Sequence, residues 1–275
     1  MKSGIYLVSS PIGNIGDISF RAVEVLKSAD VIACEDTRVT KKLLSLLSIP
    51  HSSKSFIALH NYNEEETAQK VINEALAGKV VAYLSDAGSP LISDPGYKLA
   101  RKCKQQNVYL TTLPGPCAVI CGLQLSGLPT NSFLFAGFIP NKDKARLETL
   151  KKYKDVDTTL VFYETANRLL KTLEAAKTVF ENREIAVARE ITKIFEECVN
   201  GTAEELISHF TETPPKGEIV LMVSPPKEQS LLDWTEDLNK ALKEQSLKSA
   251  VQYIVKKYKA NKNDVYQKAL ELKSD

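Results

Sequence analysis

Short apolar runs and amphipathic stretches alternate from the first residues of this chain. Residues 5–8, 31–34, 56–59, 80–84 and 108–113 have the length and the β-branched and aliphatic content of buried strands. Between them the apolar positions recur with helical spacing. Asp17 reads as the N-cap of a helix carrying Ile18, Ala22, Val25 and Leu26, and a second helix covers 37–47. Asn63 reads as the cap of a helix over 64–76, with Glu64, Glu65 and Glu66 at the positive end of its dipole. Asp94 reads as the cap of the next, over 95–106, with Pro95 at the first helical position. An apolar helix then runs to Leu125. This order predicts a mostly parallel sheet covered by helices.

The pattern changes after Gly-Leu-Pro-Thr-Asn-Ser at 127–132. Strands are predicted at 133–138, 158–163, 185–189, 195–199 and 219–223. A basic helix follows the polar turn 141–146, another helix covers 169–180, and a short one capped by Thr202 ends near Phe210. Strands joined by short turns imply a mixed sheet. A stiff polar linker at 224–229 leads to helical patterns at 231–242, 247–258 and 264–272, the last capped by Asn263, resembling a helix-turn-helix. The expected architecture is therefore α/β: a first domain over 1–127 with a mostly parallel sheet, a second over 128–224 with a mixed sheet, a ligand cleft between them, and a helical segment over 225–275.

Four strand-to-helix turns, at 10–14, 35–38, 85–90 and 114–118, fall at carboxyl ends of the first five strands. In a parallel sheet such turns share one edge, where open α/β sheets bind ligands. The stretch Ser85-Asp-Ala-Gly-Ser-Pro90 stands at the centre of this arrangement.

Composition narrows the picture modestly. A net charge of +2 over 275 residues neither demands nor excludes a nucleic-acid partner. No apolar run is long enough to span a bilayer, and the N-terminus enters a strand without a signal-peptide pattern, so a cytoplasmic protein with no membrane association is expected. The five cysteines show no C-x-x-C pair and the three histidines are scattered, which points to reduced thiols and no metal site. There is no G-x-G-x-x-G, no P-loop, no G-x-S-x-G elbow and no H-E-x-x-H. What the turns do offer is backbone exposed by Gly and Pro, the carboxylates of Asp36, Asp86 and Glu164, and the guanidinium groups of Arg38, Arg168 and Arg189. Such a set suits a polar, adenosine-like ligand held without a phosphate cradle.

Ser10-Pro-Ile-Gly-Asn14, Glu35-Asp-Thr-Arg38, Ser85–Pro90 with Asp94-Pro-Gly96, Leu113-Pro-Gly-Pro-Cys-Ala118, Phe162-Tyr-Glu164 with Arg168, and Arg189-Glu-Ile-Thr-Lys193 occur in that order. Together they resemble the ribosomal small subunit methyltransferase I family, within the tetrapyrrole-methylase (class III) superfamily of S-adenosylmethionine enzymes. The resemblance implies S-adenosylmethionine in a cleft between two α/β domains, a homodimer, and methylation of the ribose 2′-oxygen of a cytidine in the decoding region of 16S rRNA in the small ribosomal subunit. It implies cofactor contacts from Pro11, Asp86, Gly88, Ser89, Pro114, Cys117 and Ala118 on one side, and from Tyr163, Arg189, Gly217, Glu218 and Ile219 on the other. The chain departs from the family at Asn167, where histidine is common, so no histidine base is assigned, and at Ser89, where threonine is frequent.

For the chemistry, Glu35, Asp36 and Glu164 are the expected candidate bases, with Arg38 and Arg168 orienting them. Arg38, Arg168, Lys193, Lys256 and Lys257 are the expected RNA contacts. Two other readings compete: a relative that methylates a tetrapyrrole or a protein, and a ribosome-binding protein that has lost turnover.

Overall fold

The two apolar runs Val31–Cys34 and Val80–Leu84 end up inside the first sheet. The computed structural model describes residues 1–226, 234–258, 260 and 262–274. Residues 227–229 of the expected linker, 231–233 of the expected helix after it, and Lys259 and Asn261 of the basic stretch lie outside the described residues.

The first half runs β1 (Gly4–Val8), α1 (Phe20–Ser28), β2 (Val31–Cys34), α2 (Thr37–Leu46), β3 (Ser55–Ala58), α3 (Glu64–Leu76), β4 (Val80–Leu84), α4 (Tyr97–Gln105), β5 (Leu110–Leu113) and α5 (Ala118–Ser126). Its sheet has the order β3-β2-β4-β1-β5, and every pairing is parallel. The apolar β2 and β4 are interior strands, while the partly exposed β3 and β5 form the edges. Alternation sorts the side chains between two faces. Val8, Ile32, Cys34, Ala82 and Leu84 meet Leu26 of α1 and Leu44 of α2. Ile5, Val31, Ala33, Val81 and Tyr83 meet Val71 and Ile72 of α3 and Leu99 of α4.

The second half runs β6 (Phe133–Phe138), α6 (Asp143–Lys152), β7 (Thr159–Thr165), α7 (Ala166–Phe180), β8 (Ile185–Arg189), β9 (Glu197–Gly201), α8 (Ala203–Glu212) and β10 (Glu218–Val223). The order is β6-β7-β10-β8-β9, mixed as expected: β6 and β7 are parallel, and the other pairings are antiparallel. One face buries Phe162, Leu221 and Val187 against Leu173 of α7 and Phe210 of α8. The other face is covered by α5, whose Val119 and Leu123 pack with Val161, Val220 and Met222. The last helix of the first half thus supplies core to the second sheet, and Met1–Ser224 forms one compact unit.

The separate unit Pro225–Asp275 contains α9 (Trp234–Glu244), α10 (Leu247–Tyr258) and α11 (Lys262–Ser274). Leu238, Val251, Ile254 and Val265 are fully or almost fully buried in its core. Among the described residues no helix is long and apolar enough to cross a membrane.

Several element starts differ from expectation. Asn14, not Asp17, caps a short 3₁₀ turn at Ile15–Asp17, and Ser19 caps α1 by accepting from the Ala22 amide at 3.1 Å. The Asn63 side chain makes no cap bond to α3; its oxygen accepts from the His60 amide at 2.9 Å. α7 starts at Ala166 rather than 169, β5 at Leu110 rather than 108, and β9 at Glu197 rather than 195. α11 starts at Lys262, which places Asn263 inside the helix.

The largest difference is at α4. Asp94 does not cap it and Pro95 is not its first residue; the helix begins after Gly96, whose φ of 122° suits glycine. Its free amides are satisfied from another helix. The buried Glu64 carboxylate of α3 accepts from the Gly96 and Lys98 amides at 2.9 and 2.7 Å. Glu64→Ala would strand both donors, and a loss of about 2–4 kcal/mol in urea unfolding is expected.

Candidate active site

The four strand-end turns of the first sheet do converge, and hydrogen bonds lock them together. Ser10 and Gly88 exchange backbone bonds at 2.9 and 3.0 Å, and the Ser10 hydroxyl donates to the Ser85 carbonyl at 2.9 Å. Ser89 Oγ donates to the Pro116 carbonyl at 2.9 Å and lies 3.2 Å from Ser9 Oγ. Asp86 Oδ1 accepts from the Asp36 amide at 3.1 Å, which ties in the turn after β2. The Tyr83 hydroxyl donates to the Pro95 carbonyl at 2.7 Å and fixes the start of α4 from below.

Above these turns lies a cavity of about 280 Å³, near the lower end of the range for small-molecule sites. The first sheet contributes Ile12, Asp86, Ala87, Gly88, Ser89, Ile92, Ser93, Asp94 and Ala118 to its wall. The second sheet contributes Phe138, Tyr163, Glu164, Thr165, Glu190, Ile191, Lys193, Glu218, Ile219 and Val220. Tyr163 is held between aromatic neighbours, its ring centre 4.9 Å from that of Phe135 and 5.3 Å from that of Phe138.

Seven of the expected cofactor residues stand in this wall: Asp86, Gly88, Ser89, Ala118, Tyr163, Glu218 and Ile219. Pro11, Pro114, Cys117, Arg189 and Gly217 do not. Cys117 occupies the N-cap position of α5, Arg189 is ion-paired to Glu197 at 2.5 Å, and Gly217 abuts the Glu190 carboxylate.

The three candidate bases have different surroundings. Asp36 caps α2, accepting from the Arg38 amide at 2.8 Å and from the Arg38 guanidinium at 2.6 Å, and this holds its carboxyl down at about 2. Such a carboxylate is a weak proton acceptor. Arg38 itself is 89% exposed. Glu164 belongs to the wall, yet its side chain has 0% exposure. The carboxylate accepts from the Thr165 amide at 2.8 Å, Arg168 Nε at 2.6 Å and the Thr172 hydroxyl at 2.6 Å. Its oxygens are thereby committed to α7. Glu35 is half-buried, and its carboxyl is raised first by burial and then by the neighbouring Asp86 charge.

The sequence pattern assigns Asp94 only a capping role, yet the structure puts it in the cavity wall. Burial, then the charges of Glu35, Asp86 and Glu218, push its carboxyl up to about 6. Asp86 is raised as well, by burial first. The signal that distinguishes Asp94 from an ordinary cap is the run of carboxylates spread over four separate segments, which only their convergence reveals.

Of the expected RNA contacts, Lys193 reaches the cavity wall and pairs with Glu190 at 2.8 Å, and Arg168 is occupied by Glu164. In the C-terminal unit Lys257 pairs with Asp237 at 2.5 Å, and the Tyr258 hydroxyl donates to the same carboxylate. Lys256 lies in the last turn of α10.

Residues 4–207 match the sequence profile of the family described as Tetrapyrrole (Corrin/Porphyrin) Methylases. The fold is similar to that of uroporphyrin-III-C-methyltransferase from Thermus thermophilus, with a TM-score of 0.55 over 81% of this chain and 94% of that one, at 21% identity. At that identity the likeness is one of fold. Paired α/β sheets meeting over a carboxylate-walled cleft are thus the framework of a tetrapyrrole-methylase-type methyltransferase.

The chain is also 48% identical over 276 residues to the ribosomal RNA small subunit methyltransferase I of Erythrobacter litoralis, spanning 100% of this chain and 97% of that protein. Its Vibrio cholerae counterpart is 44% identical over 274 residues, spanning 97% and 94%. The chain belongs to the ribosomal RNA small subunit methyltransferase I family.

Proposed function

We propose that this enzyme transfers a methyl group from S-adenosylmethionine to the ribose 2′-hydroxyl of a cytidine in the decoding region of 16S rRNA, acting on the small ribosomal subunit as a cytoplasmic homodimer. The observation that carries this reading is the acidic cavity at the carboxyl edge of the parallel sheet, in a chain akin over its full length to ribosomal RNA methyltransferases. Residues 1–127 and 128–224 serve as the two domains that enclose the cleft.

The residues present fit the cofactor. Ile12, Ile92, Ile219 and Val220 offer an apolar surface for a purine, and Asp86 and Glu218 offer negative charge to a sulfonium and an ammonium group. The cofactor, when bound, supplies a methyl group that already carries its leaving group. What remains for the protein is to align the nucleophilic oxygen and take its proton. Asp94 suits the proton transfer, because it faces the cavity and a carboxyl near 6 is ionised at neutral pH while keeping more basicity than an ordinary aspartate. Glu35 stands close enough to raise it electrostatically. Asp86 is fixed to the Asp36 amide, and the Asp36–Arg38 pair presents the exposed guanidinium to phosphate. Glu164 and Arg168 hold the end of β7 against α7 and act on the site through its shape. Lys193, Lys256 and Lys257 add positive charge for the RNA backbone, with Arg38.

Mass spectrometry of ribosomal RNA nucleosides from cells with and without the protein tests the reading. One 2′-O-methylcytidine is expected to disappear. Identical nucleosides would overturn the substrate, and failure of labelled S-adenosylmethionine to bind at equilibrium would overturn the cofactor.

A further inference from the structure

The turn between β8 and β9 holds two large apolar side chains in water. Ile194 is 95% exposed and Phe195 is 71% exposed, although the sequence pattern places Phe195 in a strand. The turn is rigid. Glu190 and Thr192 sit at φ 49° and 67°, a backbone region that costs energy for such residues and collects at functional sites. The Lys193 amide donates to the Glu190 carbonyl at 2.9 Å, and the Thr192 amide donates to Glu196 Oε2 at 2.7 Å.

Across from it stands the turn after β1. The Asn14 amide donates to Thr192 Oγ1 at 3.0 Å. The two turns meet so closely that a Cβ on Gly13 would fall 2.6 Å from Lys193 Cγ and 2.7 Å from Thr192 Oγ1. Between them is an open groove of about 500 Å³, walled by Gly13–Ile15 on one side and Thr192–Phe195 on the other. Lys193 also walls the 280 Å³ cavity, so the groove adjoins the active site.

We propose that this groove binds the nucleotide flanking the methylated ribose, with its base stacked on Phe195 and packed against Ile194, and its phosphate beside Lys193. The proposal rests on the RNA-methyltransferase reading above. Every base has a π-face, and exposed aromatics beside lysines are how proteins grip single-stranded RNA without reading sequence. The place of Lys193 in both walls favours RNA over a second copy of this chain: the cationic side chain stands between the cavity that would take the ribose and the apolar side chains that would take the neighbouring base.

The test uses the full chain and small ribosomal subunits prepared from cells lacking the enzyme. The double variant Ile194→Ala/Phe195→Ala is expected to raise KM for the subunit about 10- to 100-fold. Labelled S-adenosylmethionine binding and the sedimentation coefficient should match wild type, and Phe195→Trp should keep KM near the wild-type value. p-Benzoylphenylalanine at position 195 should crosslink to nucleotides next to the modified cytidine. An unchanged KM, or a double variant that sediments as a smaller species, would overturn the proposal, the latter by making this face a contact between copies. A wild-type enzyme that binds cofactor yet leaves these subunits unmethylated would instead remove the function reading on which the proposal stands.

Discussion

Asp94→Asn is expected to slow methyl transfer by about 10²–10⁴-fold, the usual worth of a positioned general base. Cofactor affinity should change far less than turnover. The wild-type single-turnover rate should climb with pH while Asp94 ionises and level off above about 6, since only the carboxylate can accept the hydroxyl proton. The variant should lose that limb. Stability should move the other way. Burial raises this carboxyl in the folded chain, so the native state holds the proton more tightly than the unfolded one. Native stability therefore falls as pH rises from the ordinary aspartate range through about 6, and it stays lowered above. Asparagine removes that penalty. Allowing for solvent screening of a partly exposed group, Asp94→Asn should be about 1–2 kcal/mol more stable at neutral pH. A variant as fast as wild type would sink the assignment and shift attention to Glu35→Gln.

Glu164→Ala should lower stability by about 3–5 kcal/mol in urea unfolding. Removing this buried carboxylate strands the Arg168 guanidinium, the Thr172 hydroxyl and the Thr165 amide that it satisfies. Glu164→Gln keeps an acceptor but loses the charge, and a cost of about 1–3 kcal/mol is expected. Its turnover per folded molecule should stay within a few-fold of wild type, because the oxygens are engaged by α7 and not offered to the cavity. A Gln variant that folds fully yet loses turnover by two orders of magnitude would return Glu164 to the candidate bases.

Asp94 and Glu164 show how far residue order carries the argument. Glu164 follows four consecutive apolar or aromatic residues at a strand end, which reads as a carboxylate delivered to a site. The chain passes from β7 into α7 at Ala166, and that junction brings Arg168 and Thr172 of the helix onto the Glu164 carboxylate at the strand end. Asp94 precedes Pro-Gly, which reads as a cap. The distant Glu64 takes the cap instead and frees Asp94 to face the cavity. For Glu164 the deciding partners lie within eight residues but show only once β7 gives way to α7, whereas beyond Asp94 the helix amides are capped by a partner more than thirty residues away.

Phe195 is a third case. Its apolar neighbours suggest a strand, but the left-handed Glu190 and Thr192 open a turn that contact with Gly13 and Asn14 stabilises. No periodicity signals this, because the stabilising contact spans 178 positions.

Legible in the chain itself are the elements whose cause is local. The apolar runs at Val31–Cys34 and Val80–Leu84 admit only buried strands, and the strand–helix alternation admits a parallel sheet, so the gathering of the four turns on one edge follows from chirality and connectivity. The change to a mixed sheet after Gly127 was equally visible in the shorter connections. Tertiary structure alone decided which carboxylate keeps a raised proton affinity, which caps a helix, and which apolar side chains stay in water. Those outcomes depend on burial and on charges brought from four or more separate segments, and a linear pattern carries hydrophobicity and period but not distance.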